Sequence, residues 1–199
     1  ATVCGADGES GGSARIAWAG PTEFWTIARP NALQVPTNEG AVTLCRFRDG
    51  RVAASFASPL TGNERWPALS AAACREPADC WFAGPVATTV DKARTGAFHL
   101  RWDGTALRSV YAPQGRAVTD LAADANGFVE TTTVGPQSLS TTPAAPVPAE
   151  PLPLLLHELT GADIATDPFT PLPRDGVPPD ATELLALDRD GDRIWAGGG

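Results

Sequence analysis

Hydrophobic and polar residues alternate with a period of two along most of this chain. The runs are short, and Gly, Pro, Asn or Asp interrupts them roughly every eight to twelve residues. Successive side chains point to opposite faces only on a strand, so the pattern predicts many short antiparallel strands. No stretch carries a convincing amphipathic helix; Thr182 to Leu187 comes nearest and is too short to outweigh its surroundings.

Four segments can be laid over one another: A-R-I-A-W-A-G-P-T-E-F-W-T-I-A-R-P (14–30), L-S-A-A-A-C-R-E-P-A-D-C-W-F-A-G-P (69–85), V-T-D-L-A-A-D-A-N-G-F-V-E-T-T-T-V (118–134) and E-L-L-A-L-D-R-D-G-D-R-I-W-A-G-G (183–198). Each reads as a strand, a tight polar turn, and a second strand that opens on a bulky pair: Phe24-Trp25, Cys80-Trp81, Phe128-Val129 and Ile194-Trp195. A second pair of strands follows the first three of these hairpins. It is A-V-T-L-C-R-F-R-D-G with R-V-A-A-S-F-A-S-P, then A-F-H-L-R-W-D-G with T-A-L-R-S-V-Y-A-P, then L-P-L-L-L-H-E-L-T-G with the less regular A-D-I-A-T-D-P-F-T-P. The Asp-Gly pairs at 49–50 and 103–104 mark hairpin turns, because Gly tolerates the positive φ that such turns need.

The repeating unit is thus four strands, A to D, in about 50 to 65 residues, and a repeat of that size is the sequence mark of a β-propeller. The expected fold class is all-β, a β-propeller of four-stranded antiparallel blades with about three and a half blades present. The expected division is an N-terminal tail (1–12), blade 1 (13–66), blade 2 (67–115), blade 3 (116–180) with a long Pro/Thr-rich loop at 133–152, and the first half of blade 4 (181–199). The chain resembles secreted bacterial β-propeller repeat proteins from about residue 13 to its end. The elements that carry this likeness best are C-x5-C-W-F-A-G-P and F-H-L-R-W-D-G, which look like blades of extracellular actinobacterial proteins. Asp190 stands five residues before Trp195, as in the Asp-box of sialidase-type blades, although the box's Ser or Thr and its glycine position are not matched. Three and a half blades cannot close, so the remaining blades are expected from the same polypeptide or from a neighbouring subunit. The alternative fold is a β-sandwich of about 14 strands.

Cys74 and Cys80 fall at the two ends of the A-B turn of the second unit, where facing strands bring Cα atoms close enough to bond. A stapled turn is expected; metal binding is the alternative, but C-x5-C has no second pair nearby and only His99 is close. Cys4 and Cys45 are left to pair and would tie the Gly-rich tail to strand C of the first unit, unless Cys4 bonds outside the chain. Four cysteines and the absence of methionine fit a chain secreted into an oxidising compartment after removal of a signal peptide. The expected location is extracellular or at the cell surface.

Composition adds exclusions. Of 199 residues, 43% are hydrophobic and 19% charged, which suits a folded chain. The net charge of -8, with Lys92 the only lysine among 15 Lys+Arg, disfavours nucleic acid. No apolar run approaches the roughly 18 to 20 residues of a membrane-spanning helix.

Asp188, Asp190 and Asp192 have the look of a calcium loop, yet the Glu that such a loop ends on is missing, and turn chemistry explains them. Trp25, Trp81 and Trp195 recur at one position of the repeat and are expected to pack between blades, as are Trp102 and Phe47 on C strands. His99 and His157 are expected to be hydrogen-bonded structural histidines. No G-x-S-x-G elbow is present. The loop carboxylates Glu39, Asp91, Glu150 and Asp175 are the ones a glycoside hydrolase could use. No catalytic residue, metal or cofactor is assigned.

The connections are uneven. A-B and C-D turns are short, whereas B-C connections run to about 10 to 20 residues and share one face with the D-A connections. Long loops on a rigid scaffold are where binding usually sits. The leading expectation is a binding or assembly module for a protein or glycan, with Asn38, Glu39, Trp66, Asp91, Lys92, Arg94, Gln114 and Arg116 as candidate contacts. The alternatives are an extracellular polysaccharide hydrolase or lyase and a structural subunit of a surface layer or filament.

Overall fold

At Asp49-Gly50 both residues adopt positive φ, 50° and 73°, and the chain reverses between two strands. Two-residue turns recur at 21–22, 77–78, 125–126 and 191–192 of the computed structural model, which describes Cys4 and residues 15–28, 43–57, 64–65, 69, 71–88, 93–112, 116–134, 137–138, 155–159, 169–171 and 184–198. Among the described residues the protein is all-β, without helix.

The first sheet is a meander of β1 (Arg15–Gly20), β2 (Glu23–Ala28), β3 (Thr43–Arg48) and β4 (Arg51–Ala57), each antiparallel to the next. The short β5 (Glu64–Arg65) precedes the second sheet, whose body is β6 (Ala71–Glu76), β7 (Asp79–Thr88), β8 (Ala93–Trp102) and β9 (Leu107–Ala112). Then come β10 (Arg116–Asp124), β11 (Gly127–Val134) and the short β12 (Gln137–Ser138). The third sheet is β10-β11-β13-β14, with β13 at Leu155–Leu159 and β14 at Phe169–Pro171. A two-stranded fourth sheet pairs β15 (Leu184–Asp190) with β16 (Arg193–Gly198). All four expected hairpins are present, and among the described residues no sheet closes on itself.

Register lines the sheets up residue for residue. In the first sheet Ala17, Trp25, Arg46 and Ala54 form one row across the four strands, and Trp18, Phe24, Phe47 and Val52 form the next. In the second sheet the matching rows are Ala73, Trp81, Arg101, Arg108 and Cys74, Cys80, Trp102, Leu107. In the third, Ala122 and Val129 match the first row, and Ala123 and Phe128 the second. In the fourth they are Asp188 and Trp195, then Arg189 and Ile194. Because side chains alternate, the first row of each sheet points to one face and the second row to the other.

The core follows from this alternation. One cluster joins Trp25, Ile27 and Leu44 of the first sheet to Cys80, Phe82, Leu100 and Trp102 of the second. Another joins Ala71, Ala73, Trp81 and Ala83 of the second sheet to Val118, Leu121 and Phe128 of the third. Phe82 and Trp81 are neighbours in sequence yet belong to different clusters, so the second sheet is covered on both sides. Its β7 is accordingly buried without interruption from Asp79 to Gly84. The stack therefore has more than two layers. The Trp-bearing face of one sheet lies on the opposite face of the next.

The first strands of successive sheets lie side by side, β1 by β6, β6 by β10 and β10 by β15. Asp120, at a bulge in β10, accepts from the backbone N–H of Leu187 on β15 at 2.9 Å, while Arg15 of β1 approaches the same carboxylate at 3.7 Å. First strands of the first, third and fourth sheets thus meet at one buried acid.

Both expected disulfides form. Cys74 and Cys80 face each other directly across β6 and β7 with Cα atoms 4.0 Å apart, and Cys4 bonds Cys45 with a Cα separation of 5.9 Å. No free cysteine remains. Two disulfides suggest an oxidising, extracellular environment, and no helix of the described residues is long and apolar enough to cross a membrane.

Candidate functional site

Of the expected second B-C loop, residues 85–88 and 93–96 are strand. Gly84-Pro85 and Gly96 read as punctuation in the sequence, but β7 runs on to Thr88 and β8 starts at Ala93, with Pro85 opposite Ala97 and Val86 opposite Gly96. Proline has no N–H to give a ladder, and here it needs none on its outer side. β6 pairs only as far as Ala83, β5 begins at Ala87, and Pro85 falls in the gap.

This extension collects strands from both neighbours. β5, from the connection between the first and second sheets, pairs Glu64 with Thr88 and Arg65 with Ala87. β12, which follows β11 of the third sheet, pairs Gln137 with Arg94 and Ser138 with Ala93. The order β5-β7-β8-β12 makes a ledge on the edge that carries the B-C and D-A connections. Of the candidate contacts, Arg94 lies on this ledge and Arg116 opens β10 opposite Val134. Asn38, Glu39, Trp66, Asp91, Lys92 and Gln114 lie outside the described residues, as do Glu150 and Asp175.

At the end of the sheets away from the ledge, beside the short A-B turns, buried charges hold tryptophans. Glu23 opens β2 two residues before Trp25 and receives Arg46 Nε at 2.6 Å and Arg48 Nε at 2.8 Å. Arg46 in turn lies over Trp102 at 5.0 Å and Trp25 at 5.9 Å. Asp79 repeats the device two residues before Trp81. It pairs with Arg75 at 2.8 Å and Arg101 at 3.2 Å, and Arg101 lies 5.5 Å over the Trp81 ring. The acid is desolvated but doubly paired, and the guanidinium over each ring adds about 0.5 to 2 kcal/mol. Sequence reading missed this clamp. Its trace is E-F-W and D-C-W on B strands, each facing an Arg on the C strand.

His99 and Glu130 bridge the second and third sheets, Nε2 to Oε2 at 2.6 Å, both almost wholly buried. This fits a hydrogen-bonded histidine; among the described residues His99 Nδ1 has no hydrogen-bond partner. His157 is the register partner of Glu130 on β13. Trp25, Trp81 and Trp102 are core residues as expected, whereas Trp195 is half exposed and Phe47 stacks on Phe24 at 4.8 Å on the outer face of the first sheet.

The short turns on the opposite edge are held by their own carboxylates. Asp103 Oδ1 accepts from the N–H groups of Ala106 and Thr105 and from the Thr105 hydroxyl, and these bonds hold its pKa well below the usual range. Burial pushes the Asp124 carboxyl up, but the N–H groups of Asn126 and Gly191, the Arg189 charge and the Gly127 N–H outweigh it and hold it low. Asp188 and Asp190 lie on β15, and Asp192 forms a plain two-residue turn with Gly191, φ 61°. Among the described residues no group of three or more His, Cys, Asp or Glu is placed to hold a metal.

No protein-family model, no curated protein and no solved structure matches the chain, so its chemistry rests on its own residues.

Proposed function

We propose that this chain is a secreted, β-propeller-type array of blades that works as a binding and assembly module through the edge carrying the β5-β7-β8-β12 ledge. The observation that carries this reading is that segments of two different connections are knitted onto one extended hairpin. Main-chain pairing of that kind turns loop length into a fixed surface, and a fixed surface loses less entropy on binding. The propeller reading draws support from the repeated use of the same two faces and from the first strands gathered at Asp120.

A hydrolase reading has less behind it. The buried carboxylates Glu23, Asp79, Asp120 and Glu130 are engaged by arginine, histidine or backbone donors, which is how structural acids are used.

The test is binding of the purified protein to panels of glycans and extracellular proteins, repeated with Arg94→Glu on the ledge and Asn126→Ala on the opposite edge. Loss of binding with the first variant and retention with the second is expected. Binding that follows Asn126, turnover of a polysaccharide, or no ligand on either panel contradicts the reading.

A further inference from the structure

Each observed interface between sheets has a direction. The row of Trp25 covers the row of Cys80 and Trp102, and ring centroids of Trp25 and Trp102 are 5.4 Å apart. The row of Trp81 covers the row of Phe128, at 6.1 Å. The third sheet meets the fourth in the same sense, because Arg189, in the second row of β15, reaches back to Asp124 at 3.3 Å. One face gives and the other receives, three times over.

Among the described residues the series leaves two faces uncovered. At one end is the receiving face of the first sheet, with Ile16 54%, Trp18 63% and Val52 43% exposed. Its aromatic rings are already ordered, Trp18 to Phe24 at 5.1 Å and Phe24 to Phe47 at 4.8 Å. Trp18 and Phe24 stand at the positions that the Cys74–Cys80 disulfide takes in the second sheet, and Phe47 stands at that of Trp102. At the other end is the giving face of the fourth sheet. Trp195, at the place of Trp25 and Trp81, is 50% exposed where those two are 0% and 1%. A contiguous aromatic patch open to water marks an interaction surface.

We propose that the outer face of the first sheet, formed by Ile16, Trp18, Phe24, Phe47 and Val52, docks the Trp195 face of β15–β16 from a second copy of this chain. What identifies the occupant is the chain's own internal packing, in which the receiving rows of the second and third sheets are each covered by a B-strand tryptophan, Trp25 and Trp81. Trp195 is followed by Ala196 and Gly197, which leave it room to insert. The contact is heterologous, so copies add head to tail and do not pair about a two-fold axis. A two-stranded hairpin offers less area than a stable dimer buries, and association is therefore weak and concentration-dependent. The proposal does not depend on the ledge as a binding site.

Sedimentation velocity of the full chain over rising concentration tests it. The wild-type protein should shift to larger species, while Trp18→Glu and Trp195→Glu should each stay monomeric. An equimolar mixture of the two variants should give a one-to-one complex that grows no further, because each retains one working face. Both side chains are half exposed or more, so folding should survive; intact disulfides and an unchanged near-ultraviolet spectrum check this, and Trp18→Ser with Trp195→Ser repeats the test more gently. Association of either variant alone overturns the proposal and, for Trp195→Glu, points to pairing of first-sheet faces. A wild-type chain that stays monomeric throughout its soluble range also overturns it and assigns the face to a different partner.

Discussion

Trp81 and Phe82 are adjacent in sequence and buried in opposite directions, Trp81 against Phe128 of the third sheet and Phe82 against Trp25 of the first. A strand with core on both sides is unusual for an antiparallel sheet, which commonly keeps one face in water. Here it follows from serial stacking, in which every inner sheet both gives and receives. The acid clamps then make sense as the means of bringing a guanidinium into a stack with little room for charge.

The Glu23 clamp should separate a buried charge from an exposed one. Removing the acid in Glu23→Ala leaves Arg46, whose side chain is only 13% exposed, without its partner, and a loss of about 3 kcal/mol is expected. Arg48→Ala removes a contact from a side chain 54% exposed and should cost less than about 1 kcal/mol. Urea denaturation followed by tryptophan fluorescence measures both.

The two disulfides should differ in worth. Cys4 and Cys45 are 41 residues apart and Cys74 and Cys80 only 6, so chain entropy assigns about 4 kcal/mol to the first and about 2 kcal/mol to the second. Cys4→Ser should therefore lower the denaturation midpoint more than Cys74→Ser. An equal or reversed order would show that strain or residual structure dominates.

Much of this architecture was legible in the chain. Period-two alternation and tight turns placed all four hairpins; cysteine spacing placed the Cys74–Cys80 bridge, and Cys4–Cys45 followed as the remaining pair. Legibility failed where a local signal had a non-local answer. Gly84, Pro85 and Gly96 carry turn chemistry, yet they pair across the β7–β8 hairpin, and the strands that flank its extension, β5 and β12, come from remote connections. The clamps were missed because Glu23 and Arg46 are 23 residues apart, and only the register of β2 on β3 joins them. The exposure of Trp195 was missed because recurrence at a position says which way a side chain points, not whether a neighbour is there to cover it.

Gly104 and Gly50 should respond differently to a methyl group. Both have positive φ, 91° and 73°, so alanine strains each backbone by about 1 kcal/mol. At Gly104 the new Cβ would also lie 2.9 Å from Ala78 Cβ, in the neighbouring turn, whereas at Gly50 it meets open space. Gly104→Ala should shift the thermal midpoint by clearly more than Gly50→Ala.

Acid should weaken the Asp103 turn in a defined window. Its folded-state pKa is depressed by the Ala106 and Thr105 donors, so its contribution is fully present above the ordinary aspartate range near 4 and is lost as pH falls through the lower folded value. Between those limits the unfolded chain binds more protons, and stability falls with pH. Asp103→Asn should flatten that fall, as chemical denaturation at pH values from about 5 down to 2 would show.

Nuclear Overhauser contacts of the aromatic rings address the stacking most directly. In one folded sample, the Trp25 ring should show cross-peaks to Phe82 and Trp102, and the Trp81 ring should show cross-peaks to Phe128. Both sets together place a sheet on each side of β7. Cross-peaks on one side only, with the other ring open to solvent, would contradict serial stacking of the sheets.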